Sequence, residues 1–393
     1  MSDLLRTGYQ RNTVRLMNGH IEGIAESHGL RSWLLGRHEE LVNTHGRAAS
    51  PMVALLEMDG PLLRALYEAG WSRRGWRAAI GGLDGSLLDR AVLYDEITRA
   101  DLAIPEIFGK LEVMLSAIAE TAPELAKRFL GTMLRGESMI CQGFSEPDAG
   151  SDIAAVRTSA RLDAGRWVIS GQKVWTSHGT VAKHCVLLAR TGSASSRHRG
   201  LSLFWLDMET PGVTVRPIPA TTRPDEFAEV FLDDVELPRD AIIGEVDGAW
   251  PIVMRMFEYE RAMWAWQRQG ELHRSLAELA RTVPHDPEAE ARLGEAASEL
   301  AALRARAWSS VLKLASGEPL GPAASVDKSL LSQAEQRVFN LARDLLPGFA
   351  VGDGASDVAW RSEWFHSRAS SVYGGAREVQ RNVIAERVLG LPR

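Results

Sequence analysis

Two cysteines, Cys141 and Cys185, are too few for a disulfide framework or a four-ligand zinc centre built on thiolates. Long hydrophobic runs are missing as well: no uninterrupted apolar stretch approaches the roughly 20 residues of a bilayer-spanning helix. The first residues lack a basic start followed by an apolar core, so no secretion signal is expected. Positive charge is not in excess. The 45 Lys and Arg stand against 51 Asp and Glu for a formal net charge of -6, whereas phosphate-backbone binding draws on a basic surface. No Gly-x-Gly-x-x-Gly follows a strand-like run, and no P-loop pattern occurs. These absences argue against a membrane protein, a nucleic-acid binder and a doubly wound nucleotide fold. The expected compartment is the cytoplasm.

What is present is an ordinary globular composition, 45% hydrophobic and 24% charged over 393 residues. That length calls for one large unit or two to three packed subdomains. Residues 1–139 read mostly as helix. Leu55, Leu56, Leu62, Leu63 and Leu66 recur at helical spacing, as do Leu87, Leu88, Ala91 and Leu93, and then Leu111, Met114, Leu115 and Ile118. Pro51, Gly60 and the run Gly81 to Gly85 are read as punctuation. The texture changes over 140–247, where short apolar runs at 166–170, 186–189, 201–206, 213–215 and 229–232 are separated by Gly, Pro and Asp. Such spacing predicts a small β-barrel or sandwich. Helix returns over 248–393, with Leu293, Ala297, Leu300, Leu303, Ala307 and Val311 on one stripe read as core. The predicted class is therefore α+β, in the order helical domain, central β domain, helical domain.

Four segments carry chemistry. Phe144-Ser145-Glu146-Pro147-Asp148-Ala149-Gly150-Ser151-Asp152 combines hydroxyls with a fixed Pro and a permissive Gly, a loop that turns N–H groups and hydroxyls outward. By itself it reads as a surface turn. Gly171-Gln172-Lys173-Val174-Trp175-Thr176-Ser177 sets an aromatic platform beside hydroxyls, and His178 follows. The helix Met254 to Arg261 carries Glu258, Glu260, Arg255 and Arg261 among Met and Phe. Its bland reading is a solvated, salt-bridged face. Glu260 and Trp264 share a face at i,i+4 spacing, and a carboxylate desolvated beside an aromatic becomes a stronger base. Trp264 and Trp266 near that carboxylate point to an unusual pocket. Last, Ser371-Val372-Tyr373-Gly374-Gly375-Ala376-Arg377 is a Gly-Gly turn opening an amphipathic helix, whose free N–H groups suit polar ligands.

Together these strings resemble the signature blocks of the acyl-CoA dehydrogenase family, and the α–β–α order extends the likeness over essentially the whole chain. The resemblance implies an N-terminal helical domain, a central β-barrel-like domain and a C-terminal four-helix bundle. It implies FAD, held between the β domain and helices and completed by a dimer mate. Cofactor contacts fall on Gln142, Phe144, Ser145, Ser151, Trp175, Thr176 and Ser177, with Trp175 beside the ring and the next two hydroxyls at N5 or O4. Gly348, Gly375 and Glu378 complete that set. Acyl-CoA contacts fall on Ser151, Glu258, Arg261 and Gly374, and no metal is implied. The family passes an α-proton to a carboxylate and a β-hydride to the flavin, giving a 2,3-enoyl-CoA. Electrons then go to an electron-transferring flavoprotein or another acceptor. A dimer or tetramer is implied, homomeric or heterotetrameric.

The chain departs from the pattern at the base. Many members carry Glu directly after the Tyr of the last block, where Gly374 stands. Glu260 matches the place where other members keep their base, on an earlier helix just before an Arg. Ala376 replaces a usual Thr. The Arg-x-x-Phe-Gly element that commonly meets the partner's FAD is replaced by Arg281-Thr282-Val283-Pro284-His285-Asp286-Pro287. Two further readings stay open: a non-catalytic or partly catalytic partner subunit of a heteromeric dehydrogenase, and a relative that uses oxygen.

Overall fold

The computed structural model describes residues 19, 21–25, 29–44, 47 and 50–392. The N-terminal helices form where the apolar spacing requires. They are α1 (Leu30–Gly36), α2 (His38–Leu41), α3 (Met52–Glu68), α4 (Leu87–Arg99), α5 (Glu106–Lys110), α6 (Ser116–Thr121) and α7 (Pro123–Leu134). In α3 the leucines at 55, 62, 63 and 66 are buried. Gly60 does not punctuate this helix, because α3 runs through Gly60 and Pro61. The packed leucine face outweighs the intrahelical bond that Pro61 cannot donate. Gly81 to Gly85 does form a turn, with Gly81, Asp84 and Gly85 all at positive φ. It leads into a capping box in which the Ser86 hydroxyl accepts from Leu88 N–H at 3.1 Å and Ser86 N–H donates to Asp89 at 2.7 Å. Leu111–Leu115 is a π-turn that joins α5 to α6.

Eight strands are described: β1 (Ile140–Gly143), β2 (Ser159–Asp163), β3 (Arg166–Ser177), β4 (His184–Arg190), β5 (Leu201–Asp207), β6 (Val213–Ile218), β7 (Phe227–Pro238) and β8 (Ile242–Ile243). They hydrogen-bond into one sheet of order β6-β7-β3-β2-β4-β5-β8, with β1 parallel to β4. A two-sheet sandwich, left open by the strand spacing, is thus not what forms. The long β3 and β7 make up the difference, running antiparallel with register shifts between Ile169 and Gly171 and between Lys173 and Thr176. The second irregularity contains Trp175, held at φ 57. Such bulges re-aim side chains at functional positions.

The C-terminal part is built from α8 (Ala249–Thr282), α9 (Pro287–Ala315), α10 (Ala324–Leu345) and α11 (Ala355–Ala369), followed by the short α12 (Arg377–Val383). Asp286 caps α9 by accepting from Ala289 N–H at 2.9 Å, with Pro287 at the first helical position. The stripe from Leu293 to Val311 is buried apart from a partly covered Ala297. Arg304 of α9 reaches Asp95 of α4 at 2.9 Å, tying the two helical regions together in the interior. Trp266 belongs to this core and not to a pocket: it is 1% exposed, has its ring centre 5.0 Å from that of Trp308 and donates to the Ala91 carbonyl. Two residues beyond Trp264, it faces another side of α8. Among the described residues no helix is long and apolar enough to cross a membrane, and no cluster of metal-ligating side chains occurs.

Candidate active site

The first half of the site is made by β1, the loop after it and β3. Phe144 is buried, Ser145 is partly buried, and Pro147, Gly150 and Ser151 lie at the surface. The loop is fastened from beneath. The Ser145 carbonyl accepts from Val174 N–H at 2.9 Å. Lys173 Nζ lies 2.7 Å from Glu146 and 3.3 Å from the Phe144 carbonyl. Glu146 also accepts from the backbone N–H groups of Arg157 and Thr158, at 2.6 and 2.9 Å. Burial pushes the Glu146 carboxyl up, but Lys173 and these donors outweigh it and hold the pKa below the usual range. Two motifs that look separate in sequence are thus one buried ionic unit.

Above this unit the bulge at Trp175 presents two features side by side. The Trp175 ring is 61% exposed, a large value for a tryptophan inside a strand, and meets Phe227 edge-on. The neighbouring Thr176 is buried, and its hydroxyl has no hydrogen-bond partner among the described residues. Ser177 is partly buried and opposite Phe227 in the ladder. Gln142 lies partly buried in β1, opposite Val186. An exposed flat aromatic beside an orphaned hydroxyl is what a planar, hydrogen-bonding ring such as isoalloxazine needs, so the residues present fit FAD.

The second half is made by α8, α10 and the turn before α12. Phe144 joins the halves, packing edge-on against Phe257 of α8, over which the Arg261 guanidinium lies. Gly374 and Gly375 take φ 62 and 102, conformations that exclude most side chains. A Cβ added at Gly374 would lie 3.1 Å from Glu260 Oε1, 3.5 Å from Lys328 Cε and 3.7 Å from Lys328 Nζ. One at Gly375 would lie 3.6 Å from an Arg261 nitrogen and against Gln380. Glu260, Arg261, Lys328 and the two glycines therefore converge on one small space. Arg261 Nε and Gln380 Oε1 are buried there without partners among the described residues.

The electrostatics follow from that enclosure. Burial raises the Glu260 pKa above the carboxylate norm, opposed by Arg261, Lys328 and Lys110. Burial lowers Arg261, opposed by Glu260 and Glu258. Lys328 is held down to about 8 by burial, opposed by Glu335 and Glu260. Its ammonium donates to the Ser370 carbonyl at 2.7 Å and lies 4.0 Å from the Tyr373 ring centre.

The remaining residues expected from sequence make other contacts in this chain. Glu258 accepts from Gly321 N–H at 2.9 Å and pairs with Arg255 at 2.9 Å, so both its oxygens are engaged. Gly348 sits in the connection between α10 and α11, beside Asp357. Glu378 is exposed in the first turn of α12. His285, in the segment that replaces Arg-x-x-Phe-Gly, is 98% exposed beside Glu290. Sequence reading missed Lys328 and the Lys173–Glu146 pair. The one available signal for Lys328 was a lysine at a core-facing position of α10, in step with the buried Leu331 and Glu335.

Family models match most of the chain: the acyl-CoA dehydrogenase middle domain over residues 141–235 and the acyl-CoA dehydrogenase C-terminal domain over 247–389. Acyl-CoA dehydrogenase IpdE1 of Mycobacterium tuberculosis is 38% identical over 337 residues, covering 84% of this chain and 86% of the relative. The Mycolicibacterium smegmatis protein of the same name is 36% identical, with 84% and 87% covered. Among solved structures, the Tcur3481-Tcur3483 steroid ACAD aligns with a TM-score of 0.79 at 23% identity, covering 95% of this chain and 98% of that one. The ChsE4-ChsE5 complex of Mycobacterium tuberculosis aligns with a TM-score of 0.73 at 23% identity, with 98% of each chain covered. At those identities the two structures show a shared fold.

Proposed function

The chain belongs to the acyl-CoA dehydrogenase family, FAD-dependent flavoprotein oxidoreductases that dehydrogenate acyl-CoA thioesters, and within that activity we propose that Glu260 is the base that removes the α-proton. The observation that carries this reading is the fit of Glu260 into the space left by Gly374, where a side chain at residue 374 would crowd its Oε1. The glycine supplies no carboxylate but makes room for one arriving from α8. Enclosure raises the Glu260 pKa, and a carboxylate drawn toward the operating pH is a more effective proton acceptor. Gly374 keeps a backbone N–H that can polarise a thioester carbonyl as it gains negative charge. Arg261, with a buried Nε lacking a partner among the described residues, is assigned to substrate.

FAD, when bound, supplies the acceptor for the hydride that leaves the β-carbon. Phe144, Ser145, Trp175, Thr176 and Ser177 are assigned to hold it, supported by the exposed Trp175 ring and the orphaned Thr176 hydroxyl. Assembly into a dimer or tetramer, homomeric or heteromeric, belongs to the same proposal. Its support is the apolar C-terminal end, where Val388, Leu389 and Leu391 are 44%, 66% and 53% exposed. The electron acceptor is assigned to the electron-transferring flavoprotein class, and the cytoplasm remains the proposed compartment.

The test is anaerobic bleaching of the flavin absorbance by a panel of acyl-CoAs, in the wild type and in Glu260→Gln. A general base contributes roughly 10²–10⁴-fold. Glu260→Gln should therefore lose flavin reduction by about that factor while retaining flavin and acyl-CoA binding. Wild-type reduction rates in the variant would remove Glu260 from the role. A wild type that no acyl-CoA bleaches alone, but that does so once co-purified with a second chain, would favour the partner-subunit reading.

A further inference from the structure

We propose that Lys328 is the positioning residue for Glu260: a fixed ammonium that keeps the buried base ionised and aimed across the space above Gly374. This rests on Glu260 being the base. Three observations carry it. Lys328 is 4% exposed, an unusual place for a lysine with no carboxylate in contact among the described residues. Its Nζ is instead held by neutral groups, the Ser370 carbonyl at 2.7 Å and the Tyr373 ring at 4.0 Å. It shares with Glu260 Oε1 the point where a Gly374 Cβ would stand, at 3.7 and 3.1 Å. The ammonium is thus fixed near the carboxylate without closing onto it, which leaves the oxygen free to take a proton.

The support behind Lys328 runs into the helical core. The Tyr373 hydroxyl lies 3.4 Å from Glu335, and Glu335 pairs with Arg268 at 2.7 Å in the helical core. Arg268 also pairs with Glu271 and Glu363, and Glu335 and Glu260 are the two carboxylates whose charge acts on Lys328 against the effect of burial. The charged groups facing Glu260 are Arg261 from its own helix, Lys328 from α10 and Lys110 from α5. Of these, Lys328 is the one held by both a carbonyl and an aromatic face in the turn that ends at Gly374. Burial disfavours an ionised Glu260, and a nearby cation restores the charged form by one to a few pH units in comparable sites. Loss of the Lys328 charge therefore leaves the base protonated over a wider acid range.

The experiment is the pH dependence of flavin reduction by an acyl-CoA in Lys328→Gln, Lys328→Met and Lys328→Arg. Gln keeps a donor for the Ser370 carbonyl without the charge, Met removes both, and Arg keeps the charge. Both neutral variants should shift the acid limb upward by about one pH unit or more, with KM changed little, and Arg should restore the wild-type limb. A rate loss with an unmoved limb overturns the proposal, because a merely structural lysine would lower the rate without moving it. Failure of both neutral variants to fold and hold flavin also overturns it, since Lys328 would then be a folding residue. Loss of reduction in Glu260→Gln beside an unmoved limb in Lys328→Gln sinks only the positioning role. Wild-type reduction in Glu260→Gln sinks the base assignment itself.

Discussion

Lys173 in the sheet and Lys328 in the helical bundle are both buried, at 0% and 4% exposure, yet they are used differently. Lys173 closes onto Glu146 at 2.7 Å, and that carboxylate simultaneously collects two backbone N–H groups of the neighbouring segment. The pair is complete and has no charge left to give; it nails the Phe144–Asp152 loop to β3. Lys328 is held by a carbonyl and a ring, neither of which cancels its charge. Its field therefore extends to Glu260. A buried cation with a contacting carboxylate is a fastener, and one with neutral partners is a source of potential. The strand half of the site is accordingly fastened by a closed ion pair, whereas the helix half, on the role proposed for Lys328, is tuned by charge.

The contrast is broken most severely through Glu146. Glu146→Gln strands Lys173 in the interior, and removing one member of a buried ion pair costs about 3–5 kcal/mol. Chemical denaturation should show a loss of that size, together with loss of flavin. A change below about 1 kcal/mol would mean that Lys173 is not dependent on its partner. Gly374→Ala probes the helix half. The positive φ and the short approach to Glu260 Oε1 predict a cost of about 1–3 kcal/mol, with a fall in flavin reduction that exceeds any fall in flavin content. Transplanting the base as Glu260→Gly with Gly374→Glu meets the same φ, so its rescue should be partial. The mildest test is Thr176→Val. The Thr176 hydroxyl has no partner among the described residues, so apo-protein stability should stay within about 0.5 kcal/mol. Flavin retention during dialysis should nevertheless fall. A clear loss of stability with unchanged retention would make Thr176 a structural residue.

Local patterns carried much of the architecture. Apolar repeats of helical period placed α3, α4 and α9, and β-branched and aromatic runs between Gly and Pro placed β3, β4, β5 and β7, because both signals depend on near neighbours. Gly60 misled for a reason of the same kind. A glycine followed by a proline reads as a break, yet the face made by Leu55, Leu62, Leu63 and Leu66 is buried strongly enough to carry the helix through. Trp266 misled in the other direction: proximity to Glu260 in sequence said nothing about which face of α8 it occupies.

The sequence by itself determined the class of fold and the signature strings at 144–152, 171–177 and 371–377. Those follow from residue type and short spacing. Tertiary structure alone decided which charges act together. Lys173 and Glu146 lie 27 positions apart, and Lys328 lies far along the chain from both Glu260 and Gly374. Their pairing depends on how β1 meets β3 and how α10 crosses α8. The strength of a charge–charge interaction is set by distance and by the water excluded around it. Both quantities come into being only when the elements pack.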